Sequence, residues 1–340
     1  MKTKMEKEIF EQGNVLEKIK NSLILDGSIN FKEIPTNFTS IKFIASGSSY
    51  NAIRLGHKFF EFYSDKIITF EYASEFISNT TKTINKETLY VFVSQSGETH
   101  DTKCALDIVK KEGGKTLAVV NNSNSTIYNS SDYKIDVMAD IENSIAATKS
   151  FLACVVVLWL LALYFANKPA PSYELNEAIK AINETIKNSF LIDSIAKKLS
   201  KKKKISIIGY NFGYILAKEA SLKIKETSYI DTTAYPTGEF LHGHTAVLNK
   251  SKTLIEIFTS DLSDFEKNTL DKIKKDFHPQ IFSITDKKIK SKNAIIFNSY
   301  KYEISKICAI TVIIQLLALK IATSLNLDVD KPTGLKKVVK

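Results

Sequence analysis

A chain of 340 residues, 44% hydrophobic and 25% charged, has the size of two ordinary domains and the balance of a soluble globular protein. Its net charge of +10 raises a nucleic-acid partner, yet Arg54 is the only arginine and lysine carries the rest of the positive charge. Arginine is the usual reader of phosphate backbones and guanine edges, so the charge reads as a solvated lysine surface and no nucleic-acid partner is expected.

In chain order, the segment 1–28 reads as an N-terminal helix. Its opening, MKTKMEKEIFEQ, lacks the apolar core of a signal peptide. Ile41 begins IKFIASGSSYNAIRLGHKF, a β-branched strand, a small polar turn and an amphipathic helix. Leu89 begins a second strand, LYVFVSQSGE, and Lys115 a third, KTLAVVNN. The apolar run Phe151 to Ala166 falls short of the roughly 20 residues that a membrane span needs. A second run, Ile307 to Ile321, contains Gln315 and Lys320. Both read as central core helices, and no membrane partner is expected. The stretch 168–195, punctuated by Pro169 and Pro171, reads as a crossover helix rather than a flexible linker. The basic run Ser200–Lys204 has no interleaved aromatics and reads as a solvated edge.

The pattern then repeats. ISIIGYNFGYILAKEASLK from Ile205, TLIEIFTSDL from Thr253 and QIFSITD from Gln280 match the three strand-led segments of the first half. LLAL occurs at Leu160–Leu163 and again at Leu316–Leu319, with Ala166 and Ala322 three residues further on. Strand–helix–strand–helix–strand, twice, predicts an α/β fold with parallel strands in each copy, and ligands outside the carboxyl ends of those strands. The copies span 29–167 and 196–327, leaving a polar tail at 328–340. Cys104, Cys154 and Cys308 lie far apart, each in a predicted helix and without metal-ligand spacing. They read as reduced core thiols of a cytoplasmic protein, and neither a metal nor a cofactor is expected.

One corner carries chemistry. Ser94, Gln95, Ser96, Gly97, Glu98 and Thr99 stand where a strand hands over to a helix. A helix N-terminus presents unpaired N–H groups and partial positive charge. Added hydroxyls and a glycine make an anion cradle, most often for phosphate. The competing reading is simple helix capping by Ser or Thr.

Five motifs occur in order: GSSYNA at Gly47, SQSGETHDT at Ser94, IAATKSF at Ile145, KIKETSYIDTTAYPTGEFLHGH at Lys223 and DVDKPTGLKKV at Asp328. Over essentially its whole length the chain resembles the sugar isomerase (SIS) superfamily. It is similar to the isomerase domain of glucosamine-6-phosphate synthase, to stand-alone glucosamine-6-phosphate deaminases and to fructosamine-phosphate deglycases. The resemblance implies two tandem SIS subdomains, each a three-layer α/β/α flavodoxin-like fold with a mainly parallel sheet.

The resemblance also implies roles. Ser46, Gly47, Ser48 and Ser49, with Ser94, Gln95, Ser96 and Thr99, would hold a sugar phosphate, which favours the cradle over the cap. Ile145 and Ala147 would give main-chain contacts; related enzymes often carry serine at the position of Ala147. Glu226 matches the base that moves a proton between C1 and C2. His242 matches the ring-opening histidine, which arrives from a neighbouring subunit and so implies a homodimer. The related enzymes usually carry proline where His244 stands, so a looser loop is expected there. Lys337 matches the lysine that closes over the sugar, where an ammonium can stabilise an enolate oxygen or meet the open-chain carbonyl. Lys336 beside it is a further substrate-binding candidate, and the tail 328–340 is expected to act as a lid.

Nothing before Cys104 resembles the nucleophilic cysteine of a glutaminase domain, so the chain is not expected to draw nitrogen from glutamine. The leading reading is therefore deamination of glucosamine 6-phosphate to fructose 6-phosphate and ammonia. The alternatives are a fructosamine-6-phosphate deglycase, an ammonia-dependent synthase and a non-catalytic sugar-phosphate sensor.

Overall fold

The computed structural model describes residues 2–31, 33–79, 84–259 and 262–338. It opens with helices α1 (Lys4–Phe10) and α2 (Gln12–Leu23), where the sequence suggested one helix, and a small hairpin of β1 (Ile24–Leu25) and β2 (Ser28–Ile29). A parallel sheet follows, built from β3 (Ser40–Ala45), β4 (Ile67–Tyr72), β5 (Thr88–Ser94), β6 (Lys115–Val120) and β7 (Tyr133–Asp136). Between these strands run α3 (Gly47–Tyr63), α4 (Ala73–Ser78), α5 (His100–Lys111) and α6 (Thr126–Ser130). The spatial order is β4-β3-β5-β6-β7. Strand β5, TLYVFVS, is buried at every position, as a central parallel strand covered on both faces requires.

Helix α7 (Lys149–Phe165) is buried at every residue except Tyr164, which explains why it is apolar all round. Gly56 of α3 lets the two helices approach: a Cβ there would sit 3.1 Å from Leu158 Cβ. The crossover segment is not one helix. It comprises α8 (Ser172–Lys187), a 3-10 turn at Ser189–Ile192 and α9 (Asp193–Leu199).

The second sheet repeats the first. Its strands are β8 (Lys204–Gly209), β9 (Asp231–Pro236), β10 (Thr253–Ile257), β11 (Gln280–Thr285) and β12 (Ala294–Ile296), all parallel. Its helices are α10 (Phe212–Ser228), α11 (Thr237–Phe240), α12 (Asp264–Phe277) and α13 (Glu303–Ser324). The order β12-β11-β10-β8-β9 is the order of the first sheet read from its other edge. Two tandem subdomains with one shared topology therefore make up the chain.

Two compact units emerge, and they are not simple chain halves. One comprises Glu11–Glu142, Ala147–Leu175 and Lys336–Lys340; the other comprises Met1–Phe10, Asn143–Ala146 and Asn176–Leu335. Thus α1 joins the second subdomain, with Met5 and Ile9 fully buried on the side that packs on α13. The first N–H groups of α1, from Lys4 and Met5, donate to the Asp330 carboxylate at 2.8 and 2.9 Å. The tail also divides: Asp330 stays with the second unit, whereas Lys337 belongs to the first.

Helix α13 is long and apolar enough to cross a membrane by length and composition, but 83% of its most apolar window is buried inside the protein. It is a core helix, with Gln315 fully buried. Cys154 and Cys308 lie in α7 and α13; burial pushes both thiols up, Cys154 to about 12 with the nearby Glu142 adding to the effect. Cys104 is only half-buried, because it sits on the less covered side of α5 near His100.

Candidate active site

The first unit's topology reverses between β3 and β5, and both polar loops stand at the carboxyl ends of these neighbouring strands. Gly47 and Gly97 turn the chain there with φ of +58° and +65°, a region that glycine adopts without Cβ strain. At Gly97 the space also matters: a Cβ would fall 1.9 Å from Ser125 Oγ. Gly97 N–H donates to Ser94 Oγ at 3.0 Å, and Glu98 N–H donates to Ser96 Oγ at 3.1 Å. Ser94 Oγ also meets Thr99 Oγ1 at 3.2 Å. Neither Ser46 nor Thr99 caps its helix through its side chain, so capping does not account for these hydroxyls.

Glu98 fixes the loop from behind. Its carboxylate accepts Thr126 N–H at 2.6 Å and Thr126 Oγ1 at 3.0 Å, and pairs with Lys103 at 3.1 Å. The Thr126 N–H, chief among these, holds the carboxyl below the usual carboxylate range.

An open cleft of about 1190 Å³ lies in the same unit. Gln95, Ser96 and Glu98 line it, with Asn121 and Asn122 after β6, Asp136 to Glu142 in part, Lys149, Glu11, Lys18, Lys337 and Val338. Lys149 is buried and pairs with Glu11 at 2.6 Å. Lys337 Nζ donates to Glu142 Oε2 at 2.7 Å. The structure thus brings Gln95, Ser96 and Lys337 to one cleft. Ser94 is buried behind the loop, Ser46 to Ser49 stand at β3 outside this lining, and Lys336 points to solvent.

Ile145 and Ala147 fall in the two different units. Beside Ile145, the buried Glu8 carboxylate of α1 accepts the N–H groups of Asn143 and Ser144 at 2.5 and 3.2 Å. That carboxylate fixes the backbone just before Ile145.

In the second unit, Glu226 lies on α10 with its side chain 24% exposed. Its Oε2 accepts a hydrogen bond from Lys223 Nζ at 2.5 Å, and Glu219 stands 3.6 Å from the same ammonium. Lys223 and Glu219 are each 1% exposed. A buried ammonium persists only where carboxylates compensate it, so the three residues act as one charge cluster. Sequence reasoning missed Lys223 and Glu219, although their i, i+4 and i+7 spacing with Glu226 places all three on one helix face.

His242 is exposed just after α11, and its backbone N–H donates to the Glu239 carbonyl at 2.9 Å. His244 opens a 3-10 turn at His244–Val247, and its ring packs 4.4 Å from that of Tyr235. Among the described residues, no group of three or more His, Cys, Asp or Glu is arranged to hold a metal ion.

The SIS-domain family profile matches residues 37–164 and 198–301, and the chain belongs to that family. It is 32% identical over 354 residues to the glutamine–fructose-6-phosphate aminotransferase (isomerizing) of Campylobacter jejuni, covering 98% of this chain and 58% of that protein. The corresponding protein of Aquifex aeolicus is 32% identical over 347 residues, with 98% and 57% covered. The chain therefore spans less than two thirds of the length of these relatives. Among solved structures, the C-terminal domain of glucosamine-fructose-6-phosphate aminotransferase from Francisella tularensis matches with a TM-score of 0.89 at 26% identity, over 98% of each chain. Glucosamine-6-phosphate deaminase from Thermotoga maritima matches with a TM-score of 0.80 at 22% identity, over 99% of each; that likeness shows the fold.

Proposed function

We propose that the chain is a phosphosugar isomerase that converts glucosamine 6-phosphate to fructose 6-phosphate and ammonia. The observation that carries this reading is Lys337, delivered from the end of the chain into the cleft that Gln95 and Ser96 line. The hydroxyl loops and their N–H groups bind the phosphate. His242 assists ring opening. Glu226 takes the C2 proton while O1 gains one, which leaves a C1–C2 enolamine; the proton returns at C1 and a ketimine remains at C2. Water adds to C2 and ammonia departs. The Lys337 ammonium stabilises negative charge as it develops on the sugar oxygen.

A second copy supplies His242 in this reading, supported by the exposure of that side chain on its own unit. Mixing inactive Glu226→Gln subunits with inactive His242→Ala subunits restores part of the activity, because each mixed dimer holds one intact site. No gain after confirmed subunit exchange removes the shared site. The aminotransferase relatives favour a second reading, the same chemistry run toward ammonia uptake. Ammonia release from glucosamine 6-phosphate, measured with fructose 6-phosphate formation in both directions, decides between them. Tight binding without turnover in either direction leaves a sensor, and turnover of a fructosamine 6-phosphate alone leaves a deglycase.

A further inference from the structure

Glu142 follows β7 and precedes α7, and its side chain has no exposure to solvent. Five donors converge on its carboxylate. Oε1 accepts Thr148 N–H at 2.9 Å, Thr148 Oγ1 at 3.1 Å and Ser150 N–H at 3.1 Å; Oε2 accepts Ser150 Oγ at 2.7 Å and Lys337 Nζ at 2.7 Å. Four of these come from the adjoining turn of chain and carry no charge. The fifth arrives from 195 residues away and is the cation. A buried carboxylate without a counter-charge is strongly disfavoured. The other cations of the cleft wall, Lys149 and Lys18, are paired with Glu11 and Asp140 instead.

We propose that Glu142 is a positioning residue that docks the end of the chain through Lys337 and so fixes the lysine nitrogen in the cleft. The docking rests on geometry alone; its part in turnover rests on the reading of Lys337 as an active-site lysine. Burial acts against the charged carboxylate, but the Lys337 ammonium and the Ser150 and Thr148 donors outweigh it and hold the carboxyl below its ordinary range. Burial, with the nearby Glu142 adding to the effect, pushes the Cys154 thiol up to about 12, so that it stays protonated. The carboxylate is therefore a fixed anchor and not a proton acceptor. A glutamine would keep the shape and lose the charge, and would turn an amide donor toward the ammonium or the Ser150 hydroxyl.

The test compares Glu142→Gln, Lys337→Gln and the double variant in the full-length protein. Amide hydrogen exchange across 335–338, read by mass spectrometry, is expected to quicken about tenfold or more in each single variant, the scale of one charge-assisted hydrogen bond. The double variant should be no faster than the singles, because all three lose the same bond. Glu142→Asp should recover part of the protection. With glucosamine 6-phosphate, Glu142→Gln should lower kcat with little change in KM. Unchanged exchange in a folded Glu142→Gln variant, or additive effects in the double, overturns the docking. If Glu142→Gln does not fold, Lys337→Gln decides alone: a tail still protected without its lysine overturns it. Absence of turnover in the wild-type protein would refute the proposed reaction while the exchange measurements still judge the anchor.

Discussion

The two subdomains share strand order and a reversal point, yet their first βα corners are built for opposite ends. After β3, Gly47 turns the chain and a Cβ there would meet nothing within 4 Å. After β8, a Cβ on Gly209 would fall 2.4 Å from the Gly213 backbone, and one on Gly213 would fall 2.9 Å from the Ile257 carbonyl. In the second subdomain the glycines let α10 press onto β8 and β10 until the corner is filled by backbone. In the first the glycine opens the corner, with hydroxyls around it. The Gly47 turn with φ of +58° has its counterpart in Asn211 with φ of +47°, so both corners use positive φ while only the first leaves space beside its glycine. The shared topology offers two corners, and packing fills one of them.

On that contrast, the second subdomain acts through α10 and the loop that carries His242, and not through its first βα corner. Glu226→Gln is then the most damaging change, at about a hundredfold to ten-thousandfold in kcat for loss of a general base, with the fold intact by circular dichroism. Wild-type turnover from this variant would return the chemistry to the first subdomain alone. Next comes the open corner. Replacing Ser94, Ser96 and Thr99 together by alanine should raise KM roughly a hundredfold, at about 1 kcal/mol per lost bond, and should also lower the urea midpoint because the buried Gly97 N–H loses its acceptor. Unaltered KM would mean that the open corner is no cradle.

The filled corner should respond the other way round. Gly213→Ala forces a Cβ against the Ile257 carbonyl and should lower unfolding free energy by about 1–3 kcal/mol, while KM stays near wild type in the folded fraction. Gly47→Ala should cost only about 1–2 kcal/mol of backbone strain and should act on KM. Equal effects of the two substitutions on stability and KM would erase the comparison. The smallest effect is electrostatic. Because the Glu142 carboxyl titrates below its ordinary value, its contribution is fully present above the unfolded value of about 4.3 and is lost as pH falls through the lower folded value. Acid titration of stability should therefore be flatter in Glu142→Gln than in wild type over that window, and an identical slope would count against an ionised anchor.

The duplicated topology and both polar loops were legible because strand-led segments recur with hydroxyls and glycine at matching places. The closure of one corner was not. GSSY and GYNFGY both read as glycine turns, and only the neighbouring backbone shows which glycine faces open space and which lies against a helix. Lys223 was hidden because a lysine in KIKE reads as surface, where lysine is usually found. Glu142 and Lys337 could not be paired from sequence, since the contact closes over 195 residues. The split of the first helix escaped for a similar reason: α1 has the polarity of a surface helix, and what buries Met5 and Ile9 is the far end of the chain.

The hold of Asp330 on the first turn of α1 sets an order of events at the ribosome. The carboxylate that caps Lys4 and Met5 is made about 325 residues after them. At roughly 5–20 residues per second, that delay is about 15–65 s. A helix of 7 residues is too short to persist alone in water, so α1 emerges without stable helical structure. The first subdomain can collapse while translation continues. The second cannot complete its core until α13 and the Asp330 turn have emerged, so α1 waits for a cap made long after it before it can find its place.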